Sequence, residues 1–490
     1  MQDDGYATEL EYVDDFNSAL NPLWIDFCLD IAGIKTYKRS EDSNFCYLEL
    51  GFGMGNSFAL HASGSEGEFI GNDFISAHCE HALKFLNASK PNAKAYQESF
   101  KQIKEKALRE NLKFDYIVLH GVWSWISQEN QTIILEIIAH CLHQNGVLFI
   151  SYNCFPGWEG KYSMRHLLKL LESHANGNQK ERIQTSLAYA QKFFASDSLY
   201  AKENPRTQEV RKELQTREIN YLCHEFFNKD WHCLFFSQMA DLMRSVQCEF
   251  ACSAKLMWHF DPLTFNTQQN ELLASTKDSI LQEQFKDFFL NESFRMDIFV
   301  KNNKESAQEE CNQRLLRTSF VLLKPPFGFQ SAAESPQEFQ AFCQKILEFF
   351  AKDSYQPKSL QSLVESFGVG MEVLLPILCA MITQGFLHPT KPTTPKTLAQ
   401  TKAHNAILFS QPKQKGTRRF LASALIGGGF YLDEAIWTCL KAYTQGILDK
   451  DSLLEFVKAE IPTLSNAALE NYIGQFLQTK ALYQRLGVLD

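Results

Sequence analysis

The sequence has no surplus of positive charge: 48 Lys and Arg stand against 57 Asp and Glu, a formal −9 at pH 7. That balance argues against a general affinity for nucleic acid, whose backbone must be met with cations. The 13 cysteines, an odd number, show no paired spacing. A disulfide framework or zinc site is therefore not suggested, and the cysteines read as small apolar residues of a protein in the reducing cytoplasm. No apolar run suits a membrane span, because the best stretches, 146–158 and 420–432, are short and contain Gly or Pro. The opening MQDDGYATEL is acidic and polar where a signal peptide would be basic and then apolar. A phosphate-binding Gly-Lys-Ser/Thr is also lacking.

What the sequence does have is length and apolar material. At 490 residues with 45% hydrophobic and 21% charged residues, it should fold into several globular domains. Over 45–152, short apolar runs (CYLEL, EFIGND, AKAYQES, FDYIVLHG, GVLFISYN) alternate with amphipathic stretches of helical length. This pattern predicts an α/β fold, a doubly wound parallel sheet in domain 1–160. The next stretch, 161–302, reads helical through MRHLLKLLESHA and HEFFNKDWHCLFFSQMADLMRSV, and then gives two strand-like runs, QCEFACSAKLMW and FRMDIFVK. These runs are expected to finish the sheet as an antiparallel pair, with 160–235 a helical insertion over its ligand edge.

The C-terminal third reads as separate and mostly α-helical. Within 303–395, SLQSLVESFGVGMEVLLPILCAMITQGFLHP is helix, glycine turn, helix and strand, a winged-helix-like order, yet its second helix offers only Glu372 as a charge for reading DNA. A last helical domain spans 396–490. Residues 386–419 contain seven Lys or Arg and no acid, and read as a solvated linker, with an acidic partner or an intramolecular docking site as the sharper alternative.

The chemistry points to YLELGFGMGN at 47–56. Glycines at alternate positions after a strand let backbone approach a ligand closely. In a doubly wound sheet this loop faces the crevice outside the carboxyl ends of the strands. Asp73 ends the second strand 22 residues after Gly51, placed to accept hydrogen bonds from ribose hydroxyls. A dinucleotide fingerprint would need a third glycine where Asn56 stands.

E-x-G-x-G-x-G resembles motif I of class I S-adenosylmethionine-dependent methyltransferases. HGVWSWISQEN at 120–130, SYNCFPGW at 151–158, YLCHEFF at 221–227 and ESFRMDIFV at 292–300 together resemble the members that carry a methyltransferase regulatory domain. The resemblance covers about residues 10–301 well and the C-terminal modules weakly. It implies a Rossmann-like methyltransferase sheet and S-adenosylmethionine as cofactor. It also implies Glu49, Gly51, Gly53 and Gly55 on the cofactor loop and Asp73 as the ribose acid. Glu98, Ser99 and Phe100 fall on the segment beside the adenine, and His120, Gly121 and Trp123 beneath the transferring methyl. Many class I enzymes have an Asp for the adenine amino group where this chain reads Glu98-Ser99-Phe100, so Ser99 or a backbone group is expected to serve there.

Some members of that family methylate lysines of bacterial surface proteins, which implies a protein lysine as acceptor. A small-molecule acceptor, or a scaffold that binds cofactor without catalysis, are the alternatives. The Asn-Pro-Pro-aromatic motif that suits flat amides and amino groups is replaced by HGVWSW after the fourth strand, which disfavours glutamine or adenine. His120, Trp123, Tyr152 and Asn153 are the expected catalytic rim, with Trp125 and Trp158. Trp123 and Trp125 could equally pack beneath the insertion, and His120 could be a satisfied buried histidine. HCEH at 78–81 lies on an amphipathic helix, and no metal is expected. Membrane insertion and nucleic-acid binding are not expected, while a homodimer is compatible with the sequence.

Overall fold

The computed structural model describes residues 15–36, 38–302, 307–329, 336–411 and 418–489. The amino-terminal MQDDGYATEL and Pro412 of the basic segment lie outside these residues. Seven strands form the central sheet: β1 Cys46–Leu50, β2 Glu68–Asp73, β3 Lys94–Gln97, β4 Phe114–Leu119, β5 Leu142–Asn153, β6 Cys248–Ser253 and β7 Phe294–Lys301. Their order is β3-β2-β1-β4-β5-β7-β6. The first five run parallel, while β7 is antiparallel to both β5 and β6. The fold is thus the doubly wound α/β sheet with an antiparallel end that the apolar pattern predicts.

Alternation along β1 shows how the sheet divides its sides. Tyr47 joins the apolar cluster of one face, and Leu48 and Leu50 join that of the other. The Leu48 face is covered by the helices Phe100–Arg109, Gln128–Cys141 and Phe236–Ser245, through Ile103, Ile134, Ile137 and Met239. The insertion has a core of its own, in which Trp158, Met164, Leu168, Ile183, Leu214 and Phe226 meet. Helical periodicity fails between 227 and 235, where the chain leaves the helix and makes a single bridge from Leu234 to Cys154. The His232 amide donates to Ser124 O (2.8 Å) and the Leu234 amide to Asn153 O (3.3 Å), while Leu234 O accepts from the Phe155 amide (3.1 Å). Backbone pairing to the loops after β4 and β5 overrides the local preference.

The Tyr47 face holds the main departure from expectation. Its cluster runs without a break from Phe69 and Tyr116 of the sheet and Phe58 of the helix Asn56–Ser63 to Leu378, Phe430, Trp437 and Phe476 of the C-terminal third. The C-terminal third is therefore docked on the sheet's helices rather than separate. The basic segment is docked as well, in its described part. The helix Pro395–Ser410 carries His404, which stacks on Phe85 at 4.7 Å. Lys391 Nζ donates to Ser65 Oγ (3.0 Å), and Thr394 Oγ1 donates to Glu66 Oε1 (2.9 Å). Burial pushes Lys391 down to about 8. Of the alternatives for this segment, the intramolecular one describes it, not the solvated linker.

Strands β8 Ser319–Leu322, β9 Lys358–Ser359 and β10 Leu387–Pro389 form a small antiparallel sheet beside the helices Leu360–Phe367 and Met371–Thr383, the winged-helix-like order. Leu374, Leu378, Cys379 and Met381 of the second helix are buried, so most of its surface is core. The last module contains a hairpin, β11 Arg419–Ser423 and β12 Gly428–Leu432, which helical periodicity does not anticipate. It meets the helix Asn56–Ser63 so closely that a Cβ on Gly64 would lie 2.5 Å from the Gly427 carbonyl carbon.

One polar knot ties the antiparallel end together. Arg295 on β7 is fully buried and bonds Asp297 (2.8 Å), Asp287 (2.7 Å) and Glu283 (2.9 Å), with its guanidinium 4.1 Å from the Phe236 ring centre. Lys286 adds a second cation on Glu283 at 2.8 Å. Removing Arg295 would leave buried carboxylates without their counter-ion. Arg295→Leu should therefore lower unfolding free energy by about 3–5 kcal/mol in urea denaturation, whereas a loss below about 1 kcal/mol would show that the knot is peripheral.

Candidate active site

At the carboxyl ends of β1, β2 and β4 lies a cavity of about 670 Å³. The sheet order explains its place: β1 lies between β2 and β4, so connections leave it toward opposite faces and a crevice opens where they part. Its floor is the glycine loop. Gly51, Gly53 and Gly55 all have positive φ, at 67°, 59° and 77°. The reasons for glycine differ along the loop. A Cβ on Gly51 would stand 2.8 Å from Val122, and one on Gly55 2.5 Å from Ala82, whereas one on Gly53 would meet nothing within 4 Å. Gly51 and Gly55 thus serve packing, while Gly53 faces the cavity it lines.

The loop amides are turned inward. Those of Gly51 and Phe52 donate to Asn72 O, that of Gly55 to Phe52 O, and that of Gly53 to Asp73 Oδ2 (3.0 Å). With its donors so engaged, the loop suits a ligand without a phosphate here. Asp73 also accepts from the Ile75 amide (2.9 Å) and lies 3.2 Å from His78 Nδ1, while still lining the cavity. Glu49 is buried at the end of β1, where Tyr47 Oη donates to Oε2 at 2.8 Å. Two residues apart on a strand, these side chains share a face. Burial pushes Glu49 up to about 8, opposed by the Tyr47 bond. It is therefore mostly protonated at neutral pH and would ionise beside a cation.

His120 and Gly121 line the cavity after β4. Asn17 Nδ2 donates to His120 Nε2 (3.0 Å), so the ring proton is assigned to Nδ1, which donates to Ser151 Oγ (2.9 Å). Ser151 Oγ in turn accepts from the Gly121 amide (2.9 Å). Burial pushes His120 down to about 4. This is a neutral imidazole with both nitrogens engaged, in keeping with the satisfied-histidine reading.

Glu49, Gly51, Gly53, Gly55, Asp73, Ser99, Phe100, His120 and Gly121 all line one cavity. Trp123, Tyr152 and Asn153 are not among its lining residues, which corrects the expected catalytic rim. Ser151 faces His120, so alternation turns Tyr152 to the other side, where its hydroxyl donates to Asp297 Oδ2 (2.7 Å) in the Arg295 knot. Asn153 is buried under the 232–235 segment, its amide donating to Ser124 Oγ (2.8 Å). Trp123 packs in the core of the Leu48 face, and Trp158 in that of the insertion. Trp125 does reach the cavity.

Sequence reasoning set Glu98 on the segment beside the adenine without giving it the contact, and passed over two further groups of lining residues. Glu98 follows β3 directly; its Oε1 pairs with Lys106, while buried Oε2 has no partner among the described residues. An acid at the carboxyl end of the third strand was the available signal, hidden by the search for Asp. Asp15, Phe16 and Asn17, and Thr216, Arg217, Glu218 and Tyr221 of the insertion, come from segments with no glycine or strand-end signature.

The family model described as "Predicted methyltransferase regulatory domain" matches residues 218–301. The uncharacterized protein RP028 of Rickettsia prowazekii is 30% identical over 199 residues, which cover 40% of this chain and 77% of that one. The chain belongs to the methyltransferase family that carries this regulatory domain. The uncharacterized protein sll1526 of Synechocystis sp. is 27% identical over 99% of both chains. Among solved structures, PKMT2 from Rickettsia typhi in complex with AdoHcy superposes with a TM-score of 0.67 at 17% identity, over 98% of this chain and 99% of that one. The shared fold thus includes the docked C-terminal region. The matched regulatory segment contributes β6, β7, the Arg295 knot and, through Glu218 and Tyr221, a wall of the cavity.

His120 supplies a pH test of the site. Its folded pKa lies below the ordinary value, so the histidine favours the folded state above about pH 6.5 and that contribution is lost as pH falls toward 4. Nuclear magnetic resonance of the histidine ring carbons should show His120 neutral down to about pH 5. A resonance removed by His120→Gln that titrates near 6.5 would contradict the hydrogen-bonded, desolvated ring.

Proposed function

We propose that this protein is an S-adenosylmethionine-dependent methyltransferase whose acceptor is a protein lysine. The observation that carries the reading is one cavity with carboxylates at three strand ends, Glu49, Asp73 and Glu98, around a glycine floor whose amides are already paired. Each carboxylate suits one part of the cofactor. Glu49 would hold the ammonium of its amino-acid end, Asp73 the ribose hydroxyls through its remaining acceptor positions, and Glu98 Oε2 the adenine amino group, with Phe100 beside the ring. When bound, the cofactor supplies an activated methyl on a sulfonium, and attack by an amine on that carbon leaves the thioether.

The chain's own residues have little covalent work to do; they position and desolvate, which can contribute about 7–11 kcal/mol. A lysine, with pKa about 10.4 in water, must first lose its proton. The apolar rim of Trp125, Ile126 and Tyr221 lowers that pKa by withdrawing the ammonium from water. His120 is not the proton acceptor as it stands, because its Nε2 lone pair is taken by Asn17. The full-length likeness to PKMT2, solved in complex with AdoHcy, supports the cofactor, and lysine over a small metabolite rests on the resemblance to family members that methylate protein lysines. No disulfide joins any of the thirteen cysteines, as suits work in the cytoplasm.

Labelled methyl transfer into a bacterial lysate, followed by acid hydrolysis, should give methyl-lysine. Label confined to small solutes would favour the metabolite reading, and cofactor binding without transfer would favour a scaffold. Glu49 gives a second expectation. Because it is protonated near neutral pH and a ligand ammonium favours its carboxylate, binding S-adenosylhomocysteine at pH 6.5 should release close to one proton, a release that fades above about pH 8. Calorimetry in phosphate and in Tris should therefore give different heats, and equal heats would mean that no cation docks at Glu49.

A further inference from the structure

The methyltransferase sheet is complete at Lys301, yet one wall of its cavity is held from residue 431. Asp15, Phe16 and Asn17 line the cavity. Tyr431 Oη, on the C-terminal hairpin, lies 2.6 Å from Asp15 Oδ1 and 2.7 Å from Phe16 O, so its one proton is shared between two acceptors on that wall. The rings of Tyr431 and Phe16 stack at 4.5 Å, and Phe420 meets Phe16 edge-on at 5.2 Å. The hairpin backbone lies against the same ring, since a Cβ on Gly429 would come within 3.1 Å of it. From Phe16 the contact runs into the site. The Asn17 amide donates to Ser57 Oγ (2.9 Å) beside the glycine loop, and its side chain donates to His120 Nε2 (3.0 Å).

We propose that the C-terminal hairpin is a working part of the cofactor site, with Tyr431 as a positioning residue that holds the 15–17 wall and, through Asn17, orients His120. Tyr431 touches neither the cavity nor a reacting atom; it acts through the segment it fastens. The large C-terminal region then acts on the site through this wall, since any event that lifts the hairpin loosens it. This inference rests on the reading of that cavity as the S-adenosylmethionine site.

The test uses the full chain with Tyr431→Phe, which keeps the stacked ring and removes the shared proton. In Tyr431→Phe the melting temperature should stay within about 2 °C of the parent. Amides of Phe16 and Asn17 should exchange at least about tenfold faster by hydrogen-exchange mass spectrometry, and S-adenosylhomocysteine should bind about tenfold more weakly by calorimetry. Parental exchange and affinity in Tyr431→Phe would overturn the proposal, as would weakened binding that merely tracks a lowered melting temperature. Faster exchange in Tyr431→Phe, with no S-adenosylhomocysteine bound by the parent, would uphold the fastening of the wall and reject the cofactor reading instead.

Discussion

The position of β1 between two parallel neighbours is the constraint on which the rest depends. Leu48 registers with Ile70 on β2 and with Ile117 on β4, so the three strands end at nearly one level. Right-handed crossovers then carry the chain away on opposite faces, and the loops after β1, β2, β3 and β4 converge on the gap. Glu49, Asp73 and Glu98 share a cavity because of this register, although they are far apart in sequence. The regulatory segment closes the sheet through β6 and β7 and brings Glu218 and Tyr221 to the same opening, so completing the sheet and roofing the site are one structural act.

Electrostatics at the site follow from burial. A carboxyl withdrawn from water holds its proton until a cation arrives, and an imidazole withdrawn from water stays neutral. Glu49 and His120 are therefore both uncharged near pH 7, which leaves the cavity a place where an incoming ammonium and sulfonium meet groups that respond to them. The Arg295 knot uses the same physics for structure. Its guanidinium faces three carboxylates and the Phe236 ring beneath the loop after β5, where Tyr152 completes the cluster.

Much of this was legible in the sequence, for identifiable reasons. Glu49, the three glycines and Asp73 follow or end short apolar runs, and the period of the chain places such residues at the sheet's ligand edge. Tyr152 was misread because a residue at a strand's end was credited to the cavity without regard to the face it takes; Ser151 has the facing position, and Asn153, on the same face as Ser151, is covered by the 232–235 segment. Asn17 and Tyr431 could not be read at all. Nothing local marks a segment whose role is to touch another more than four hundred residues away. The docking of 386–411 was hidden for a related reason: lysines on an otherwise polar stretch look solvated until Ser65 and Glu66 are seen to receive Lys391 and Thr394.

The most direct measurement of the central claim is a crystal structure of the full chain grown with S-adenosylhomocysteine. The account predicts density in the cavity between Gly53, Asp73 and His120, with the amino-acid end at Glu49, the ribose at Asp73 and the adenine between Glu98 and Phe100. Ligand bound outside this cavity, or reversed so that the adenine lies at Glu49, would contradict it.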